Sequence, residues 1–262
     1  MKRWTKVCCS AAVTVAIAAC SSSPTGRSQI ILFSDAQMSD LGAQSFEQMK
    51  KELKISNNKR VNEYVQCVAK AITDHVPPQP DFSQWEVVVF DSEQVNAFAL
   101  PGGKIGVYTG LLDVAVNQDQ LATVIGHEVA HVLADHSNER LSQSQLANAG
   151  LQVTSVALGG SQYKDVTMAA LGVGVQYGVI LPYGRTQESE ADIVGLELMA
   201  KSGFDPFQSV ELWKNMAKAS GGNQPPELLS THPSHDTRIS DLKAKADQLP
   251  AYDISHPTCK KA

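Results

Sequence analysis

The chain has 262 residues and a mass of 28.2 kDa, with 43% apolar and 19% charged side chains. That is the balance of an ordinary globular protein, not of a collagenous, disordered or multi-span membrane chain. Twenty-two Lys and Arg against 27 Asp and Glu leave a formal net charge of −5, which argues against a broad positive surface for nucleic acid. Twelve Pro, 18 Gly and no visible internal period argue against a repeat array.

Met1-Lys2-Arg3 and Lys6 precede an apolar run, Val7 to Ala19, that is short for a bilayer span and has the layout of a secretory signal over 1–19. Ile17-Ala18-Ala19-Cys20 resembles the bacterial lipobox, in which the cysteine becomes the acylated first residue of the mature chain; a plain signal cut near Ala19 is the alternative. Residues 20–34 then read as a lipidated flexible tether, opening with Ser21-Ser22-Ser23-Pro24-Thr25-Gly26. Ser21 directly after the cysteine resembles lipoproteins sent to the outer membrane, so the expected address is the bacterial outer membrane, lipid-anchored through Cys20 and facing the periplasm. Of five cysteines, Cys8 and Cys9 fall in the signal and Cys20 takes lipid. The remaining Cys67 and Cys259 read as a disulfide in an oxidising compartment, against two buried thiols. Such a bridge contributes on the order of 4–5 kcal/mol in the chain-entropy model.

Residues 35–262 are expected to form one domain. Leu41, Phe46, Met49 and Leu53 mark an amphipathic helix over 35–54, and Val65, Val68, Ala69 and Ile72 mark another over 62–73. Pro77-Pro78-Gln79-Pro80 ends this part. Trp85 to Phe90 is a β-branched strand, and Ala97 to Tyr108 is extended with a turn at Pro101-Gly102-Gly103, a hairpin or a kinked edge strand. From Asp119 a helix returns, with Leu121, Val124, Ile125, Val129, Val132 and Leu133 on its apolar face. Val166 to Gly184 has no charged residue and four glycines among its Ala and Val. It reads as a buried helix or a lid beside a cleft, with a membrane span as the alternative. A polar helix start near Thr186, an amphipathic stretch over 207–219 and a last helix over 237–249 complete the chain.

Within the helix from Asp119 stands His127-Glu128-Val129-Ala130-His131. At about 100° per residue the two histidines are offset by only about 40° one turn apart, so both imidazoles can reach one metal ion. Glu128 is placed beside the ion, where its expected role is to accept a proton from metal-bound water. Gly126 would let another segment approach closely. A catalytic zinc site needs a third protein ligand and an open position. His136, nine residues past His127, points about 180° away unless a break intervenes, and is better read as a satisfied or exposed histidine. Glu188 and Asp192 are four apart on one helical face, suiting a carboxylate ligand and a second carboxylate that holds a ligand histidine by its other nitrogen. Glu190 faces away from Glu188 and reads as a helix-dipole partner.

His127-Glu128-Val129-Ala130-His131 followed by Glu188-Ser189-Glu190-Ala191-Asp192 resembles the M48 zinc metallopeptidases, the Ste24/Oma1-like group. The likeness extends through Asn96 to Gly103, Tyr108 to Leu112, Thr231-His232-Pro233-Ser234, and Arg238-Ile239, covering most of 85–240. The resemblance implies an α+β fold, predominantly helical and zincin-like, with a small, mainly antiparallel sheet beside the HExxH helix. It implies one Zn2+ per chain on His127, His131 and Glu188, with Glu128 as general base and Asp192 behind the ligands. It also implies that Asn96, Ala97, Phe98 and Ala99 belong to an edge strand that takes a peptide by strand addition. His232 and Arg238 look like the family's late His and Arg near the metal; His232 either steadies the oxyanion or plugs the open coordination site.

The expected function is therefore zinc-dependent endoproteolysis of envelope proteins, misfolded or unassembled. The alternative is an outer-membrane assembly or chaperone-like lipoprotein with latent protease activity. The expected partners are protein or peptide substrates, the outer membrane and its assembly machinery, with no nucleic acid.

Overall fold

The computed structural model describes residues 20–158, 168, 171, 181–219, 237–252 and 254–261, which divide between two compact units. The signal segment 1–19, most of the uncharged 166–184 stretch and the block containing His232 lie outside the described residues. Among the described residues no helix is long and apolar enough to cross a membrane.

The smaller unit takes residues 1–34 and 135–183. Strands β1 (Cys20–Ser22) and β2 (Ser28–Ile30) pair antiparallel, with Cys20 opposite Ile30. Ser23 O accepts from Gly26 N at 2.9 Å, and Gly26 closes the turn at φ +84°, a conformation glycine reaches without a side-chain clash. Residues expected as tether thus make a hairpin, because Ser, Pro, Thr and Gly supply turn chemistry as readily as flexibility. The long helix α5 (His136–Ala157) joins it through buried polar contacts. Arg27 forks onto Glu139 at 2.6 and 2.8 Å, Gln29 Nε2 adds a bond to the same carboxylate at 3.3 Å, and Leu32 N donates to Ser142 Oγ at 2.9 Å. Glu139 is fully buried, so its charge is sustained by this fork.

The larger unit takes residues 35–134 and 184–262. Helices α1 (Asp35–Glu52) and α2 (Lys59–Thr73) come first, close to the ranges that periodicity predicts. The earlier start of α2 follows from Asn58, whose side chain accepts from the Arg60 and Val61 backbone at 3.1 and 3.4 Å. Strands β3 (Glu86–Phe90), β4 (Ala97–Leu100) and β5 (Lys104–Tyr108) form a sheet of order β3-β5-β4. Gly102 and Gly103, at φ +80° and +70°, make the β4–β5 hairpin. The expectation of a mainly antiparallel sheet holds for that hairpin, but β3 runs parallel to β5, so this sheet is mixed. The reason is that β5, not β4, lies next to β3.

Helix α3 (Leu111–Val114) is a single turn that the apolar pattern is too short to reveal. Helix α4 (Gln118–Leu133) follows, capped by Asn117, which accepts from Gln120 N at 2.9 Å. Then come α6 (Leu181–Lys201), α7 (Gln208–Ala219) and α8 (Arg238–Gln248). The main core joins α2, α4 and α7 to one face of the sheet, including Ala97 and Ala99. Phe98 and Leu100 take the other face, against Phe46, Phe90 and Tyr108, as strand alternation requires. The segment 254–261 lies along the first turn of α4: Gln118 Nε2 donates to Pro257 O at 2.6 Å, and Cys259 N donates to Gln118 Oε1 at 2.7 Å. The Cys67 and Cys259 sulfurs meet at 2.03 Å, spanning 192 positions of sequence.

Candidate metal centre

Two glycines let the helices that carry the candidate ligands touch. A Cβ built on Gly195 of α6 would stand 2.8 Å from Gly126 C and from His127 N, and one on Gly126 would stand 2.9 Å from Gly195 O. Any side chain at either position would push α4 and α6 apart by a fraction of an ångström at least. Backbone contact one residue before His127 brings the face of α6 that bears Glu188 and Asp192 against the imidazole.

The result is a compact donor set. His127, His131 and Glu188 are buried, and their candidate ligand atoms lie within 4.8 Å of one another. Nε2 of His127 stands 3.1 Å from Nε2 of His131 and 3.1 Å from Glu188 Oε2, while His131 Nε2 stands 3.5 Å from Glu188 Oε1. Tetrahedral ligands with bonds of about 2.0–2.1 Å are about 3.3 Å apart, so the spacing fits a tetrahedral cation. Two imidazoles and a carboxylate are also the ligand types that zinc accepts. Glu128, 3% exposed, lies beside His127 on the wall of one small cavity.

Behind the donors a polar relay runs outward. Asp192 Oδ1 stands 3.0 Å from His127 Nδ1 and accepts from Arg238 Nη2 at 2.6 Å. Arg238, 1% exposed, also comes within 3.4 Å of His127 Nδ1, and its Cζ lies 3.7 Å from the Trp213 ring centroid. Burial by itself lowers the His127 pKa, but hydrogen bonds to Asp192 and Glu188 outweigh it and push it up to about 9 from the ordinary 6.5. The two carboxylates thus favour a positive charge at this ring, which a proton or a divalent cation would supply.

His136 is 1% exposed and opens α5, where Asp135 at φ +52° breaks the chain away from α4. Among the described residues it is not in the donor group. Glu190 is buried at 3% exposed. Asn96 O accepts from Tyr108 N at 3.1 Å, and β4 is an edge strand with no strand paired to its outer side among the described residues. Nothing in the sequence singles out Trp213 or Gly195 as part of the site. Trp213 sits in a stretch read only as amphipathic; Gly195, a glycine inside a helix, is the kind of signal that marks close packing.

The chain matches the family model for Peptidase family M48 over residues 56–246. The chain belongs to peptidase family M48. It is 33% identical to the mitochondrial metalloendopeptidase OMA1 of Schizosaccharomyces pombe, over 67% of this chain and 50% of that one. It is 33% identical to the mitochondrial metalloendopeptidase OMA1 of Bos taurus, over 83% of this chain and 44% of that one. Similarity to the beta-barrel assembly-enhancing protease of Escherichia coli O157:H7 is 26% over 81% of this chain and 44% of the relative. The chain thus spans about half the length of the curated relatives it matches. The M48 match contains the whole donor set, Asp192 and Arg238.

Proposed function

We propose that this M48 chain is a zinc-dependent endopeptidase that hydrolyses peptide bonds of misfolded or unassembled envelope proteins. The observation that carries the reading is the convergence of His127, His131 and Glu188 at tetrahedral spacing with Glu128 adjacent. These three residues would hold the ion. When bound, it supplies Lewis acidity, lowering the pKa of a water towards about 7 and polarising the scissile carbonyl. Glu128 takes the proton of the attacking water and hands it to the leaving amine. Asp192 accepts from His127 Nδ1 and fixes the ring so that Nε2 faces the donor group. The outer side of β4, from Asn96 to Ala99, receives the substrate as an added strand, its main-chain bonds giving affinity without strict sequence choice.

The finer location is part of the same proposal: an outer-membrane lipoprotein acylated at Cys20, facing the periplasm, with Cys67 and Cys259 bridged in that oxidising compartment. The lipobox-like Ile17-Ala18-Ala19-Cys20 and the meeting of the two sulfurs support it. A second reading, assembly assistance to outer-membrane proteins with proteolysis latent, draws support from the name of the Escherichia coli relative. Digestion of unfolded casein by purified protein, with and without chelator and alongside elemental analysis, tests the first reading. Glu128→Gln should keep about one zinc per chain and lose cleavage, by about a hundredfold or more, whereas His131→Ala should lose the metal as well. Undiminished cleavage by Glu128→Gln overturns the mechanism; zinc-loaded wild type that cuts no unfolded substrate favours the second reading.

A further inference from the structure

We infer that Trp213 is a positioning residue for the metal centre: its indole face holds Arg238 so that the guanidinium stays on Asp192 and Asp192 stays on His127. The inference rests on the zinc reading above and extends it by one residue. Three contacts run in series. Arg238 Cζ lies 3.7 Å from the Trp213 ring centroid, Arg238 Nη2 lies 2.6 Å from Asp192 Oδ1, and that oxygen lies 3.0 Å from His127 Nδ1.

A guanidinium that is 1% exposed has given up its water. Its edge finds Asp192, with Glu188 Oε2 further off at 3.9 Å. Its flat face needs a partner that is apolar in bulk yet attracts a cation, which an indole provides and an aliphatic side chain does not. Trp213 can serve because α7 packs against both α4, which carries His127, and α8, which begins with Arg238. Trp213 itself is only 8% exposed, so the ring is fixed by the same core that fixes α4. Arg238 also has little room to turn elsewhere: the cavity bounded by His127, Asp192, Trp213 and Arg238 measures about 20 Å³, about the volume that one water-sized probe requires. The ring face thus acts on the metal at two removes, by keeping the group that orients the ligand in place.

The test compares full-length Trp213→Phe and Trp213→Leu, both apolar, of which only the first keeps an aromatic face. Zinc affinity is measured by competition with a chromogenic chelator, the cobalt-substituted absorption spectrum is recorded, and the urea midpoint of each variant is taken in parallel. Trp213→Leu should bind zinc about 10–100-fold more weakly and alter the cobalt spectrum, while Trp213→Phe stays within a few-fold of wild type. Equal affinity in Leu, Phe and wild type overturns the inference, and so does an equal loss in Leu and Phe, which would make residue 213 a matter of packing volume. Should Trp213→Leu fail to fold, Arg238→Lys replaces it, since an ammonium keeps the charge but neither stacks nor forks; wild-type zinc affinity in Arg238→Lys again overturns the inference. Absence of zinc binding by the wild-type protein is a different failure, that of the metal reading itself.

Discussion

At the residue scale, the His127 ring is where sequence, burial and charge meet. Burial opposes its protonation, yet Asp192 and Glu188 on its two nitrogens raise its pKa to about 9 in the metal-free protein, against 6.5 in an open chain. A proton held more tightly folded than unfolded contributes stability that is fully present below pH 6.5 and is lost as the pH climbs through about 9. Urea unfolding of chelator-treated protein across that window should show a loss of at most a few kcal/mol, and His127→Gln should flatten the slope. A midpoint that rises with pH in the wild type, relative to His127→Gln, contradicts the pairing. Under the zinc proposal, metal binding should run the opposite way, tightening as the pH rises, because the ion would displace that proton.

At the element scale, the site depends on how closely α4 and α6 cross, and the limit is set by Gly126 and Gly195. Gly195→Ala gains helix propensity of about 1 kcal/mol but puts a methyl 2.8 Å from Gly126 C and His127 N. Overpacking of this kind costs about 1–3 kcal/mol, and the shift of α6 carries Glu188 with it. The variant should unfold at lower urea than wild type and bind zinc at least several-fold more weakly, by chelator competition; unchanged zinc affinity would mean that the crossing does not set the ligand geometry. Much of this level is legible in the sequence. The 3.6-residue period locates α1, α2, α4 and α7, Pro101-Gly102-Gly103 marks the turn that proves to be a hairpin, and the one-turn spacing of His127 and His131 singles out the candidate centre. Glu188 and Asp192 are legible for the same reason, being one turn apart on one face. What is not legible has a physical cause too. Arg27 meets Glu139 across 112 positions of chain, and a polar pair so far apart leaves no periodicity. The ring of Trp213 looks like ordinary core until its neighbour is known to be a charged side chain. The break that turns His136 into the start of a new helix rests on a left-handed Asp135, a conformation aspartate adopts only occasionally.

At the scale of the whole molecule, the donors belong to the larger unit and Cys20 to the smaller one. Under the lipoprotein proposal, Cys20→Ser should end palmitate labelling and leave casein cleavage unchanged. Persistent palmitate labelling of the variant contradicts the anchor. The hairpin that starts at Cys20 grips Glu139 and Ser142 in the opening turns of α5. That helix is part of the stretch of chain running from the element with both imidazoles to the element with the carboxylate. A leash fastened at Cys20 would therefore pull on a helix that lies in the chain between His131 and Glu188, and any tension it bears would reach both candidate ligands through covalent bonds.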